Sequence, residues 1–103
     1  MREFNEEEFL ERLVFLRQNL TNLSMRETAR ALGWKPSAYP DLETGRKRCS
    51  INNLMALCAL YKVDANYLLT GDPSGLSERM QIVLQKEVMK VLQKTSSVYK
   101  NTA

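Results

Sequence analysis

The sequence predicts an all-α fold: a five-helix domain containing a helix-turn-helix, followed by a C-terminal amphipathic helix. Three observations predict it. Apolar residues recur at three- and four-residue spacings, capping residues such as Ser24, Ser50 and Asp64 stand ahead of the apolar runs with glycines behind them, and two short segments are joined tightly across Gly33.

Phe9, Leu10, Leu13, Phe15, Leu16 and Leu20 share one helical face, with acids ahead of them and Arg12 and Arg17 later, as the helix dipole favours, so the first helix is expected over Glu6 to Asn19. Ser24 followed by Glu27 has the spacing of a capping box, which starts the second helix at Met25. Gly33 ends it, because glycine takes the left-handed conformation at little steric cost. The third segment lies between Trp34 and Gly45, and Pro36 suits its first helical position. Pro40 then falls at about the fifth helical position, where its missing N–H and its ring cost about 3 kcal/mol in a regular interior. The third helix is therefore expected to start late or to bend.

Ser50 caps a fourth helix carrying Ile51, Leu54, Met55, Leu57, Cys58 and Tyr61 before Lys62, and Asp64 caps a fifth that carries Ala65, Tyr67, Leu68 and Leu69 and stops at Gly71. Asp72-Pro73-Ser74-Gly75 is turn chemistry, read as a hinge over 72–75 after a domain over 1–71. Beyond it, Leu76, Met80, Val83, Leu84, Val88, Val91 and Leu92 place an apolar stripe along 76–95, which as a helix spans roughly 30 Å. The stripe can fold back on its own domain or pair with a second chain; a stripe this apolar on a separate helix asks for a partner, so dimerisation is favoured over packing in cis. The polar tail over 96–103 is expected to be flexible.

Composition narrows the function. The chain has 103 residues, enough for one small domain with an appendage and too few for two large ones. No apolar run approaches the ~18 residues of a membrane helix, so no membrane partner is expected. There are two cysteines and no histidine, which leaves no disulfide framework, no zinc set and none of the commonest general base; with no Gly-rich phosphate loop either, no catalytic residue, metal or cofactor is expected, and a reducing cytoplasm is the simplest home. Cys49 and Cys58 read as structural or incidental thiols. The net charge of +3 is unevenly spread. Met1 to Glu11 carries Arg2 against Glu3, Glu6, Glu7, Glu8 and Glu11, a net −4 that repels phosphates. Ser24 to Ser50 carries Arg26, Arg30, Lys35, Arg46, Lys47 and Arg48 against Glu27, Asp41 and Glu43, a net +3, so a polyanion is expected to meet the middle of the chain.

Leu23-Ser24-Met25-Arg26-Glu27-Thr28-Ala29, Ala31-Leu32-Gly33, Pro36-Ser37, Leu42-Glu43-Thr44-Gly45 and Asn66-Tyr67-Leu68-Leu69-Thr70-Gly71 follow one another in an order and spacing that, over Leu13 to Gly71, resembles the Xre family of DNA-binding helix-turn-helix domains, the group of phage Cro and repressor proteins. The resemblance implies a lambda-repressor-like fold whose third helix enters the major groove by its N-terminal end. It implies base readers at Pro36, Ser37 and Asp41, with Ala38, and phosphate contacts at Ser24, Met25, Lys35, Thr44, Arg46 and Arg48. It also implies an ion pair between Arg17 and Glu43 linking the first helix to the third. The chain departs from the family at Asp41, where Arg, Lys or Gln is usual and a carboxylate is repelled by phosphate unless it accepts from a cytosine amino group. It departs again at Met25, which cannot donate as the family's common Gln does.

Two functions follow. One is a transcriptional regulator, a repressor that occupies an operator in double-stranded DNA as a homodimer, with Arg46-Lys47-Arg48 gripping phosphate. The other, motivated by Pro40 and Asp41, keeps the fold as a module for a protein partner, antirepressor-like or antitoxin-like. Tyr39 is expected in the core, and Trp34 is open between the core and DNA.

Overall fold

In the computed structural model, residues 3–86 and 89–90 are described. Helix α1 (Glu6–Leu20) begins where Asn5 Oδ1 accepts from the Glu8 N–H at 3.0 Å. It runs to Leu20, one residue past the expected end at Asn19, and there the Thr21 N–H and hydroxyl both donate to Arg17 O. Helix α2 (Met25–Leu32) starts at the expected capping box. Ser24 Oγ accepts from the Glu27 N–H at 3.1 Å, and Glu27 Oε1 accepts from the Ser24 N–H at 2.9 Å. Gly33 closes it at φ 74°, a conformation that costs a residue with Cβ about 1 kcal/mol or more.

Helix α3 (Ala38–Glu43) starts two residues later than Pro36. The Ala38 N–H donates to Lys35 O, so residues 35–38 form a turn, and the helical ladder opens with the Asp41 N–H on Ser37 O. The late start removes the conflict at Pro40. Counted from Ala38 it is the third helical residue, inside the first turn, where backbone N–H groups have no acceptor within the helix. Helices α4 (Ile51–Tyr61) and α5 (Ala65–Thr70) begin as expected, with Ser50 accepting from Asn53 N–H and Asp64 from Tyr67 N–H.

Helix α1 is the hub, packing on α3, α4 and α5, while α2 packs on α3. Leu13 and Leu16 of α1, Ala29 of α2, Tyr39 and Leu42 of α3, Leu57 and Tyr61 of α4 and Leu68 of α5 form the buried centre. Trp34 lies half-buried against this core, its ring centroid 6.4 Å from that of Tyr39.

The 72–75 segment folds back on the domain. Ser74 N–H donates to Asp72 Oδ1 and Leu76 N–H to Pro73 O, and Gly75 sits so close to the Asp64 carboxylate that any Cβ there would collide with it. Residues 78–86 are helical, with Ser77 Oγ accepting from the Met80 N–H. Leu76 and Met80, expected on a stripe awaiting a partner, are buried in this domain's own core, and Val83 and Leu84 pack partly against it. The physical reason is proximity: a compact turn delivers the stripe to the nearest apolar surface, which is the domain's own. Val88, Val91, Leu92 and the tail over 96–103 lie outside the described residues. Among the described residues, no helix is long and apolar enough to cross a membrane.

Candidate nucleic-acid interface

Helix α3 has only six residues, too few to be stable by itself, so its orientation depends on what holds it from beneath. Two side chains on its inner face do so. Glu43, 6% exposed, receives a two-pronged grip from α1: Arg17 Nε donates to Oε2 at 3.0 Å and Nη2 to Oε1 at 2.9 Å. The third arm of the same guanidinium, Nη1, donates to Leu23 O at 3.2 Å, tying in the connection before α2. The hydrogen bond to Glu43 raises the Arg17 pKa further above its usual value, so this cation is permanent. Tyr39, fully buried, shares a 2.6 Å hydroxyl contact with Tyr61 of α4. Burial pushes both tyrosines above their ordinary pKa and keeps them neutral.

The outer side of the same unit carries the expected contact residues. Ser24, Lys35, Pro36, Ser37, Thr44, Arg46 and Arg48 are exposed, whereas Met25, Ala38 and Asp41 are half-buried. Met25 packs against the core, in keeping with a side chain that cannot donate to phosphate. Thr44 uses its hydroxyl within the fold, donating to Pro40 O at 2.7 Å. Ser37 stands at the N-terminal end of α3 yet makes no side-chain cap bond. Two features explain this: Ser37 is itself in the helical region at φ −85°, ψ −12° rather than the extended conformation of a capping residue, and the residue three on is a proline with no N–H to offer.

The electrostatics sharpen the charge count made from sequence. All three acids of the middle segment are engaged internally: Glu27 in the capping box, Glu43 with Arg17, and Asp41 3.8 Å from Arg46 Nη1. Arg26, Arg30, Lys35, Lys47 and Arg48 are exposed and form no ion pair with the described residues. Arg26 and Arg30 were counted in that charge without being assigned a contact. The structure places them with Trp34 and Pro36 around one hollow of about 610 Å³, beside the start of α3. The signal that could have found them is their spacing of four, which puts both on one face of α2.

A family description, helix-turn-helix domain, matches residues 8–68. The chain belongs to the helix-turn-helix domain family. No curated protein and no solved structure matches it. The matched span runs from α1 into α5 and takes in the Arg17–Glu43 pair, the Tyr39–Tyr61 contact and the whole α2–turn–α3 unit. The fold is thus the all-α, lambda-repressor-like arrangement, and the helix-turn-helix domain is a DNA-binding kind of module. Its two cysteines are free thiols, and burial raises the pKa of each, which makes them poor nucleophiles.

Proposed function

We propose that this helix-turn-helix domain is a sequence-specific transcriptional regulator of the Xre type that represses by occupying an operator as a dimer, in the compartment that holds the DNA. The observation that carries the reading is the uncommitted Ser37 hydroxyl on the exposed start of a braced α3. In this reading Pro36, Ser37 and Ala38 meet base edges, since the N-terminal end of the recognition helix faces them. Ser24, Lys35, Thr44, Arg46 and Arg48 lie along the phosphates, joined by Arg26 and Arg30, while Met25 fills space beneath. The unpaired cations supply affinity without sequence preference, and the short polar side chains of α3 supply preference.

Selection from a random duplex pool at low and moderate salt tests this. The expected product is a palindrome whose half-sites are about one helical turn, roughly 34 Å, apart. Arg46→Glu with Arg48→Glu weakens binding to every sequence, and Ser37→Ala changes preference at one position of each half-site. No duplex retained at low salt overturns the proposal.

The Asp41–Arg46 contact favours a second reading, a module for a protein partner. It turns one expected base reader toward one expected phosphate contact. Under that reading Asp41→Asn leaves duplex binding absent at every salt concentration; under the first it strengthens a binding that is already there.

A further inference from the structure

A groove runs between the acidic start of α1 and the end of α5, with Leu84 of the helical segment 78–86 at its edge. Its wider part, about 780 Å³, is lined by Glu3, Glu8 and Glu11 together with the apolar Phe15 and Leu84. Its narrower part, about 400 Å³, lies against Pro73, Leu84, Gln85 and Met89. Pro73 and Leu84 line both, so the two parts adjoin. Arg12 also lines the wide part, and its Nη2 is buried without an acceptor among the described residues. Native folds rarely leave such a donor unmet. Near the narrow part, Met89 is 55% exposed, an apolar side chain left in water by a single chain.

The groove's charge has its opposite elsewhere in the same sequence. From Glu78 to Ala103 the chain carries Arg79, Lys86, Lys90, Lys94 and Lys100 against Glu78 and Glu87, a net +3 facing the net −4 of Met1 to Glu11. Lys86 and Lys90 are exposed. Because Leu76 and Met80 are already buried in cis, contact with a second chain falls to the part of the segment beyond them.

We propose that this groove receives the C-terminal segment of a second copy, from Lys86 onward, in a reciprocal exchange. Each chain's Lys86 and Lys90 meet Glu3, Glu8 and Glu11 of the other, each Met89 leaves water, and the incoming chain supplies an acceptor to Arg12 Nη2. The inference rests on the reading of the protein as a dimer and specifies the surface that makes it one.

Sedimentation of the full chain over a range of concentrations, with helical circular dichroism as the check on folding, tests it. Glu8→Lys with Glu11→Lys, and separately Lys86→Glu with Lys90→Glu, each bring like charges together and weaken self-association by at least roughly tenfold. Mixing the two variants restores a dimer, because each acidic segment then finds a basic groove and each basic segment an acidic one. Variants that self-associate as tightly as the native chain overturn the groove and leave the dimer standing. A native chain that stays monomeric at every concentration overturns both. Two monomeric, folded variants that fail to pair with each other also overturn it, placing these charges within one chain.

Discussion

Helix α1 holds its two flanks by different means, and the contrast is clearest in its two arginines. Toward α3, Arg17 meets a buried carboxylate with both prongs and a backbone carbonyl with the third. Toward α5, Arg12 donates through Nε to Leu68 O at 2.9 Å and leaves Nη2 without an acceptor among the described residues. The α3 flank adds the Tyr39–Tyr61 hydroxyl contact, while the α5 flank relies on Leu68, Leu76 and Met80 packing into the core. Apolar burial is non-directional: it holds a segment near the core without setting its rotation. A bidentate guanidinium–carboxylate pair fixes both distance and angle. Directional bonds thus lie under the short helix whose orientation decides what it can read, and oil-like contacts lie where orientation matters less.

Breaking the α3 side should cost most. Glu43→Gln leaves Arg17 without its counter-charge, and with the guanidinium largely shielded the loss in unfolding free energy is expected at about 3 kcal/mol. Urea denaturation measures it, and a loss under 0.5 kcal/mol, roughly the scatter of ordinary surface substitutions, would mean that packing alone orients α3. On the α5 side, Met80→Ala removes a buried side chain at the domain's edge, where neighbours can partly collapse, for an expected cost of about 2 kcal/mol. An unchanged midpoint would mean that the segment 78–86 does not dock on its own domain. The two variants should also differ in kind. Glu43→Gln is expected to reduce duplex preference as well as stability, and Met80→Ala stability alone.

The same contrast separates what could be read from the sequence. Caps and stops are local chemistry, so Ser24, Glu27, Gly33, Ser50, Asp64 and Gly71 all stand where their residue types predict. The start of α3 needed two prolines weighed together. Pro36 by itself favours a first helical position, but a helix begun there would meet Pro40 in its interior, and the chain avoids that by starting at Ala38. The freedom of Ser37 follows from that register, which the identity of the residue alone does not reveal. Long-range partners were hardest. Arg17 and Glu43 came from a family resemblance, and the Arg12 bond to Leu68 O, across 56 residues, leaves no mark in any local pattern. The burial of Leu76 and Met80 was hidden for the opposite reason: periodicity identifies an apolar face but not what covers it.

A subtler break of the α3 side uses the tyrosine pair. Tyr39→Phe strands the Tyr61 hydroxyl, at an expected cost of about 1–2 kcal/mol, Tyr61→Phe leaves the Tyr39 hydroxyl its interaction with Glu43 and should cost less, and the double variant should cost less than the sum. Additive costs would show that the two hydroxyls do not depend on each other. Alkali probes the same contact. Tyr39, Tyr61 and Tyr67 all have pKa values raised by burial above the ordinary value of 10.0. The folded state therefore favours the neutral phenols, so their contribution is complete below pH 10 and is lost as pH rises beyond it. In a Tyr99→Phe background, which leaves only these three, tyrosinate absorbance should appear together with loss of helical signal rather than ahead of it.

The smallest effect expected is at the capping box of α2, on the exposed side of the recognition unit. Glu27 accepts from the Ser24 backbone N–H, which favours its charged form and lowers its pKa below the usual 4.5, with the Ser24 side chain acting in the same direction. A depressed folded pKa means that the contribution of Glu27 is present above the ordinary carboxylate value and is lost as pH falls through the lowered one. Carboxyl titration followed by NMR should place Glu27 below the ordinary carboxylate value. Ser24→Ala should move Glu27 up, because it removes the hydroxyl and frays the turn that presents the Ser24 N–H. An unmoved midpoint would assign the shift to the helix terminus itself, whose unmet N–H groups survive the substitution. Either result bears on binding, since those N–H groups and the Ser24 hydroxyl are what this end of α2 can offer a phosphate.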